Sequence, residues 1–294
     1  MAYEAPKVTV EVEGRRMRLS SLDKVMYPRT GTTKAEVLDY YARISPVLLP
    51  HLAGRPVTRV RFPHGVGDVQ FFEKNIPAGT PSWLRRAGRD PVFPFIDDLA
   101  GLTFFANLNS IELHVPQWRW EGEGKGAEPR HPDRLVIDLD PGPGVGLPEC
   151  ADVAVMVRDR LGQIGLNTVP VTSGSKGLQL YAVLPGVHSS DEIRDTVAQL
   201  AQELSKKYPD RVVWKMAKDL RPGRIFLDWS QNVAAKTTIC PYSLRGRDAP
   251  TVAAPRTWAE IESGAGGGEL FQLRLEEVLA RVEKRGDLAF ELTQ

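Results

Sequence analysis

Cysteine is scarce in this chain: Cys150 and Cys240 are the only two in 294 residues. They stand far apart with no paired spacing, so neither a disulfide framework nor a cysteine zinc site is expected. Long apolar runs are missing too, and nothing approaches the roughly 18 residues of a membrane span. The opening Met1-Ala2-Tyr3-Glu4-Ala5-Pro6 has no apolar signal core, so a cytoplasmic protein without a membrane partner is expected. An excess of either charge is absent, with 38 basic against 37 acidic residues. That balance argues against a wholly basic nucleic-acid coat and leaves room for a local basic groove. There are no internal repeats and no long low-complexity linker. What is present, 42% hydrophobic and 26% charged residues, is ordinary globular composition with enough apolar mass for a core.

Patterning gives a mixed chain. Lys7 to Ser20 reads as a hairpin turning at Glu13-Gly14. Thr33 with Glu36 forms a capping box, and Val37, Tyr41, Ile44 and Leu48 follow at helical spacing. Pro46 is expected to kink or end that helix. Strands are expected at 57–62, 69–73, 169–172 and 178–183, with a short strand at 224–227 ending on Asp228. Helices are expected at 97–109, 151–164 and 191–206. A last helix carries the stripe Leu275, Val278, Leu279 and Val282 after a flexible glycine run, 264–268. Strands and helices mix without strict alternation, which predicts an α/β or α+β fold of mixed sheets flanked by helices.

The most informative run is Arg134-Leu135-Val136-Ile137-Asp138-Leu139-Asp140. Residues i and i+2 share one face of a strand, so Asp138 and Asp140 point the same way just before the breaker Pro141-Gly142-Pro143-Gly144. Two carboxylates that close repel unless a cation or a shared proton intervenes. Oxygen ligands suit Mg²⁺ or Mn²⁺. If the strand ending on Asp228 lies alongside, three carboxylates meet, a set suited to two-metal phosphoryl chemistry. The plainer alternative is a turn cap, or an ion pair with Arg134 or Arg224. Thr172-Ser173-Gly174-Ser175-Lys176-Gly177, between two strands, could cradle phosphate through its N–H groups, hydroxyls and lysine, or be a simple hairpin turn. It is not a P-loop, because no Ser or Thr follows the lysine and no helix follows the loop. Basic residues gather at Arg15, Arg16, Arg18, Lys24, Arg29 and Lys34, and around Asp228 at Lys215, Lys218, Arg221, Arg224, Lys236, Arg245 and Arg247. Lys34 falls at a helix start, where free N–H groups favour phosphate. Phe71 and Phe72 on a strand face opposite ways, so at least one ring could be open for base stacking or, alternatively, one belongs to the core. His114 reads equally as a buried structural histidine or a phosphate ligand.

Taken together, these segments resemble the polymerase domain of bacterial DNA ligase D, a primase-polymerase of the archaeo-eukaryotic primase superfamily. The runs carrying the resemblance include Asp23-Lys24-Val25, Thr32-Thr33-Lys34, Phe71-Phe72-Glu73-Lys74, Glu112-Leu113-His114-Val115-Pro116-Gln117-Trp118 and Asp138-Leu139-Asp140-Pro141-Gly142. Asp228-Trp229-Ser230-Gln231-Asn232 and Pro241-Tyr242-Ser243-Leu244-Arg245-Gly246-Arg247 extend it in family order. The resemblance implies one catalytic unit over 1–294 of mycobacterial or actinobacterial type, apparently without ligase or nuclease domains. Residues 1–115 would make the 5′-phosphate and template contacts, and 116–294 would carry catalysis. It implies templated nucleotidyl transfer to a primer 3′-OH, favouring ribonucleotides, with two Mn²⁺ or Mg²⁺ ions on Asp138, Asp140 and Asp228. His114, Ser173, Lys176, Arg221, Gln231 and Arg245 match nucleotide-binding positions. Lys24 and Lys34 match a pocket for the downstream 5′-phosphate, and Phe71 and Phe72 an aromatic pair that orders the template. Implied partners are gapped or broken DNA, NTP or dNTP, and a separate ligase or Ku; the protein is expected to be a nucleoid-associated monomer.

Three departures from that family pattern stand out. Gln179 replaces a usual histidine. Val60 stands at a position where a triphosphate-binding lysine is common, leaving Arg61 or another base to substitute. The stretch 87–94 is shorter than the loop that brings broken ends together. The rival readings are a two-metal nuclease or phosphoesterase, which would shorten primers without nucleotides, and a non-catalytic nucleic-acid-binding repair module, for which Asp138→Ala would change nothing.

Overall fold

The computed structural model describes residues 7–122 and 128–294; residues 1–6 and 123–127 of the expected catalytic unit lie outside it. Local sequence signals build the first elements. β1 (Lys7–Val12) and β2 (Arg15–Ser20) form the expected hairpin, with Glu13 and Gly14 both at positive φ in its turn. β3 (Val25–Tyr27) pairs with β4 (Thr32–Thr33) and leads into α1 (Lys34–Leu52). Thr33 and Glu36 make the reciprocal cap of α1.

Pro46 does not end α1, which runs through both Pro46 and Pro50 to Leu52. The Ala42 carbonyl, which would have accepted the missing N–H of residue 46, instead accepts from Ser45 Oγ at 2.8 Å. Ile44, Leu48 and Leu52 are fully buried along the same helix, and that burial offsets the lost bond.

The chain then makes β5 (Thr58–Arg61), β6 (Phe71–Glu73), a small hairpin of β7 (Arg86–Ala87) and β8 (Phe93–Pro94), α2 (Leu99–Asn107) and β9 (Ser110–Val115). β10 (Trp118–Glu121) and β11 (Glu128–Pro132) follow, then β12 (Arg134–Pro141), α3 (Leu147–Gly162), β13 (Val169–Thr172), β14 (Leu178–Val183) and α4 (Ser190–Lys207). The last elements are β15 (Val212–Val213), β16 (Ile225–Asp228), β17 (Thr238–Ile239), β18 (Ala254–Pro255), α5 (Trp258–Ala265) and α6 (Leu275–Arg285). The glycine run expected to be flexible begins inside α5: Gly264 is buried there, where a Cβ would stand 2.8 Å from Leu270.

Two sheets organise the molecule. The larger has the order β15-β16-β12-β14-β13-β18 and the smaller β17-β9-β5-β6. Leu135, Ile137 and Leu139 of β12 pack with α3 and α4, in a core that Ile261 of α5 joins. Their alternating neighbours Val136, Asp138 and Asp140 face the other way. The smaller sheet buries Ile111, Leu113 and Val115 in a core with α1 and α2. Cys240, Tyr242, Leu244, Leu275 and Val278 belong to that same core, and β17 closes the edge of the smaller sheet by pairing with β9. The chain thus crosses position 115/116 into the larger sheet and later returns to the smaller one.

Candidate active site

Asp138 and Asp228 are direct partners in the antiparallel pairing of β12 with β16. Asp140 is two residues along the same face, and carboxylate oxygens of all three lie within 4.8 Å of one another. Burial, then Asp140 and Asp228, push the Asp138 carboxyl well above the ordinary carboxylate range. Burial and then Asp228 push Asp140 up as well. Such mutual repulsion is what a bound divalent cation relieves, so the donor set fits the ions the sequence suggests. Asp228 is held by its surroundings: Ser230 N and Gln231 Nε2 each donate to it at 2.9 Å.

Beside the triad opens a cleft of about 680 Å³ lined by Asp138, Asp140, Ser173, Lys176, Arg221 and Arg245, with Arg29 and Arg247 at its rim. Arg221 stacks on Phe226 at 3.7 Å and, with Arg245, counters the charge of Asp140. The turn joining β13 to β14 is a hairpin whose amides serve the protein itself. Ser175 N and Gly177 N both donate to Ser173 Oγ at 3.2 Å, and Gly174 N donates to Gln272 Oε1 at 2.7 Å. The expected backbone cradle is therefore closed at those three amides, and Lys176 and the Ser173 hydroxyl are left for a phosphate. Gly174 has φ +69°, and a Cβ there would stand 2.5 Å from Arg245 Cγ, so the turn can sit against that arginine only with glycine.

Gln231 contacts Asp228 and does not line the cleft. His114 does not line it either; its Nε2 lies 2.8 Å from Glu112 Oε2. Glu112 also stands 3.4 Å from Arg245 Nε, so His114 reaches the cleft through a carboxylate that sequence reasoning passed over. Gln272, which accepts from Gly174 N and donates to Gly177 O at 2.9 Å, is the second omission. Glu112 stands two residues before His114 on one strand face, a local signal that could have found it, whereas only long-range packing reveals Gln272.

The departures have structural counterparts. Gln179 is the register partner of Asp138 on β14 and hydrogen-bonds it. Tyr181 donates to Gln179 Oε1 at 2.9 Å, which leaves the amide NH₂ for Asp138. Val60 is buried opposite Glu112 and Phe72. Arg61 does not replace a cleft base, because it is bound to Glu73 at 3.0 Å and covers Phe71 at 5.2 Å.

Lys24 and Lys34 come together away from the triad. Lys34, only 3% exposed, donates to Ser20 O at 2.8 Å, and Lys24 donates to Pro63 O. Burial, then the neighbouring Lys24 charge, lower Lys34 to about 8. Phe71 and Phe72 are both open, at 44% and 59% exposure. β6 is the edge strand of the smaller sheet, so neither ring is driven into the core.

A carboxylate triad on adjacent strands, beneath a basic cleft of nucleotide size, is the architecture of a nucleotidyltransferase. Residues 33–289 match the LigD primase-polymerase domain, and the chain belongs to that family. It is 50% identical over 278 residues to the multifunctional non-homologous end joining protein LigD of Mycolicibacterium smegmatis, covering 93% of this chain and 35% of that protein. It is 31% identical to the bifunctional LigD of Bacillus subtilis, covering 92% of this chain and 43% of that one. The chain thus spans about a third of the length of the mycobacterial relative. Among solved structures it resembles the polymerase domain of Mycobacterium tuberculosis ligase D in complex with DNA. That match has a TM-score of 0.89 and 49% identity, covering 95% of this chain and 98% of the other. Among the described residues no helix is long and apolar enough to cross a membrane.

Proposed function

We propose that this protein is a templated nucleotidyltransferase of DNA repair. It adds nucleotides, ribonucleotides by preference, to a primer 3′-OH at short gaps or breaks carrying a downstream 5′-phosphate. The meeting of Asp138, Asp140 and Asp228 within 4.8 Å beside a basic cleft carries the reading. The three aspartates would hold two divalent ions, Mn²⁺ or Mg²⁺, which when bound lower the pKa of the primer hydroxyl and neutralise the triphosphate. Lys176, Arg221 and Arg245 counter the remaining phosphate charge, and Ser173 orients it through its hydroxyl. Gln179 and Gln231 fix the carboxylates of Asp138 and Asp228 in place. His114 supports this nucleotide site from behind, through Glu112 and Arg245. Phe71 and Phe72 offer ring faces to unpaired template bases. Lys24 and Lys34 form a paired-cation pocket for the 5′-phosphate.

On this reading 1–115 supplies the DNA-end and template contacts and 116–294 the chemistry, within one catalytic unit. The protein acts as a monomer in the cytoplasm, at the nucleoid, with a DNA ligase and Ku as its functional partners in end joining. The short connection at 88–92 favours gap filling over the bridging of broken ends, and joining of 3′-overhangs by microhomology as efficiently as gap extension would contradict that preference.

The test is primer extension on a gapped duplex, with and without the 5′-phosphate, comparing ribo- and deoxynucleotides in Mg²⁺ and Mn²⁺. Asp228→Asn should abolish extension while leaving DNA binding intact. Lys24→Ala with Lys34→Ala should remove the stimulation by the 5′-phosphate and spare extension on an open primer. Primer shortening without nucleotides would instead indicate a nuclease.

A further inference from the structure

Glu112 is a carboxylate that the proposed chemistry does not use directly, yet it touches both His114 on its own strand and Arg245 of the cleft. It is 6% exposed on β9. Its Oε2 meets His114 Nε2 at 2.8 Å, and its Oε1 accepts from Gly246 N at 2.9 Å and lies 3.4 Å from Arg245 Nε. These neighbours hold the Glu112 carboxyl down, to about 2, against the effect of burial. A carboxylate only accepts, so Nε2 of His114 carries the proton that it donates. On the far side, the His114 ring meets Phe72 edge to face, with centroids 6.0 Å apart and planes at 66°. Phe72 is the more exposed of the two aromatic rings at the sheet edge, whereas Arg245 lines the nucleotide cleft. The contacts therefore run without a gap from an open ring face, through His114 and Glu112, to a cleft guanidinium. The last of them is slack: Arg245 Nε is buried and makes no hydrogen bond, so a small movement of either group can tighten it.

We propose that Glu112 is a positioning residue that couples the template-stacking surface at Phe72 to the nucleotide cleft at Arg245, so that template binding strengthens nucleotide binding. A base laid on Phe72 restricts that ring and, through its edge contact, the His114 imidazole. The imidazole fixes one carboxylate oxygen, and the other then sets where the Arg245 guanidinium points. The coupling is reciprocal, as any linkage between two binding sites must be. It rests on the proposed stacking role of Phe72, and it is separate from the base pair between template and nucleotide.

The two contributions are separated by a template strand with an abasic site at the templating position. Binding of a fluorescent ribonucleoside triphosphate in Mn²⁺ is titrated without template and with that strand at saturation. The wild-type protein is expected to bind the triphosphate about fivefold more tightly with the strand, the lower end of ordinary coupling. Glu112→Gln keeps the size of the side chain, but sets a donor NH₂ against either the Nε2 proton of His114 or the N–H groups of Gly246 and Arg245, and should lose most of the tightening. Phe72→Leu, on the surface, should also lose it once the strand is again saturating, and at an exposed position should melt like wild type. No tightening in the wild type, or wild-type tightening in Glu112→Gln with unchanged melting, overturns the coupling. A Phe72→Leu protein that binds the strand as tightly as wild type overturns the stacking reading itself, a distinct result.

Discussion

At the scale of single residues, the triad depends on groups with no side chain at all. Gly177 packs against β12 so closely that a Cβ would stand 2.1 Å from the carbonyl of Leu139, and at Gly142 a Cβ would stand 1.9 Å from Arg221 O. Both obstacles are backbone, which cannot rotate away. Gly177→Ala is expected to cost about 1–3 kcal/mol of stability as β12 or the turn shifts. Leu139 lies between Asp138 and Asp140, so that shift should also misplace the carboxylates and slow extension on the order of 10²-fold. Thermal melting and single-turnover extension of this variant check both effects. Asp138 and Asp140 themselves were legible in the sequence, because alternation on a strand is a local property. Gln272 was not, because its role shows only through the distant 173–177 turn; Glu112 lies beside His114 in the chain, but its link to Arg245 is equally long-range.

At the scale of elements, the same distinction separates what was readable from what was not. The first hairpin, the Thr33 cap, β12, β13 and β14 carry their own turn, capping or alternation signals. β17 and β18 are two-residue strands that exist because β9 and β13 offer them a partner, and no propensity foretells that. α5 is short and is followed by glycine, yet Thr257 and Glu260 cap it reciprocally. Glu260 also binds Arg281 of α6 through two contacts of 2.7 and 2.8 Å. These bonds hold its carboxyl down, to about 2, despite burial. The folded state thus gains from ionised Glu260 above the usual carboxylate range near 4.5, and loses that gain as pH falls through about 2. Glu260→Gln should destabilise the protein by about 1.5 kcal/mol at neutral pH. The difference from wild type should shrink steadily as denaturant melts are taken from pH 5 down to pH 2.

At the scale of the whole molecule, the returning chain decides what can fold alone. Tyr40 donates to Tyr242 O at 2.7 Å, and Tyr27 to Arg245 O at 2.8 Å. The core under the smaller sheet is shared between residues before 115 and residues after 240. Fragment 7–115 should therefore lack a cooperative thermal transition, whereas the full chain melts with one, since only the larger-sheet core lies wholly within 116–294. A circular dichroism melt of the purified 7–115 piece tests this, and a sharp transition would show independent folding.

The pairing of β17 with β9 also bears on synthesis at the ribosome. The α1 helix and its neighbours emerge early, but their apolar surface waits for residues 240–279 before it is covered. Until then the nascent chain carries an unsealed sheet edge at β9 and an open hydrophobic face. Such surfaces invite aggregation during translation, so chaperones that shield emerging chains have more to do for this protein than for one whose halves mature in turn.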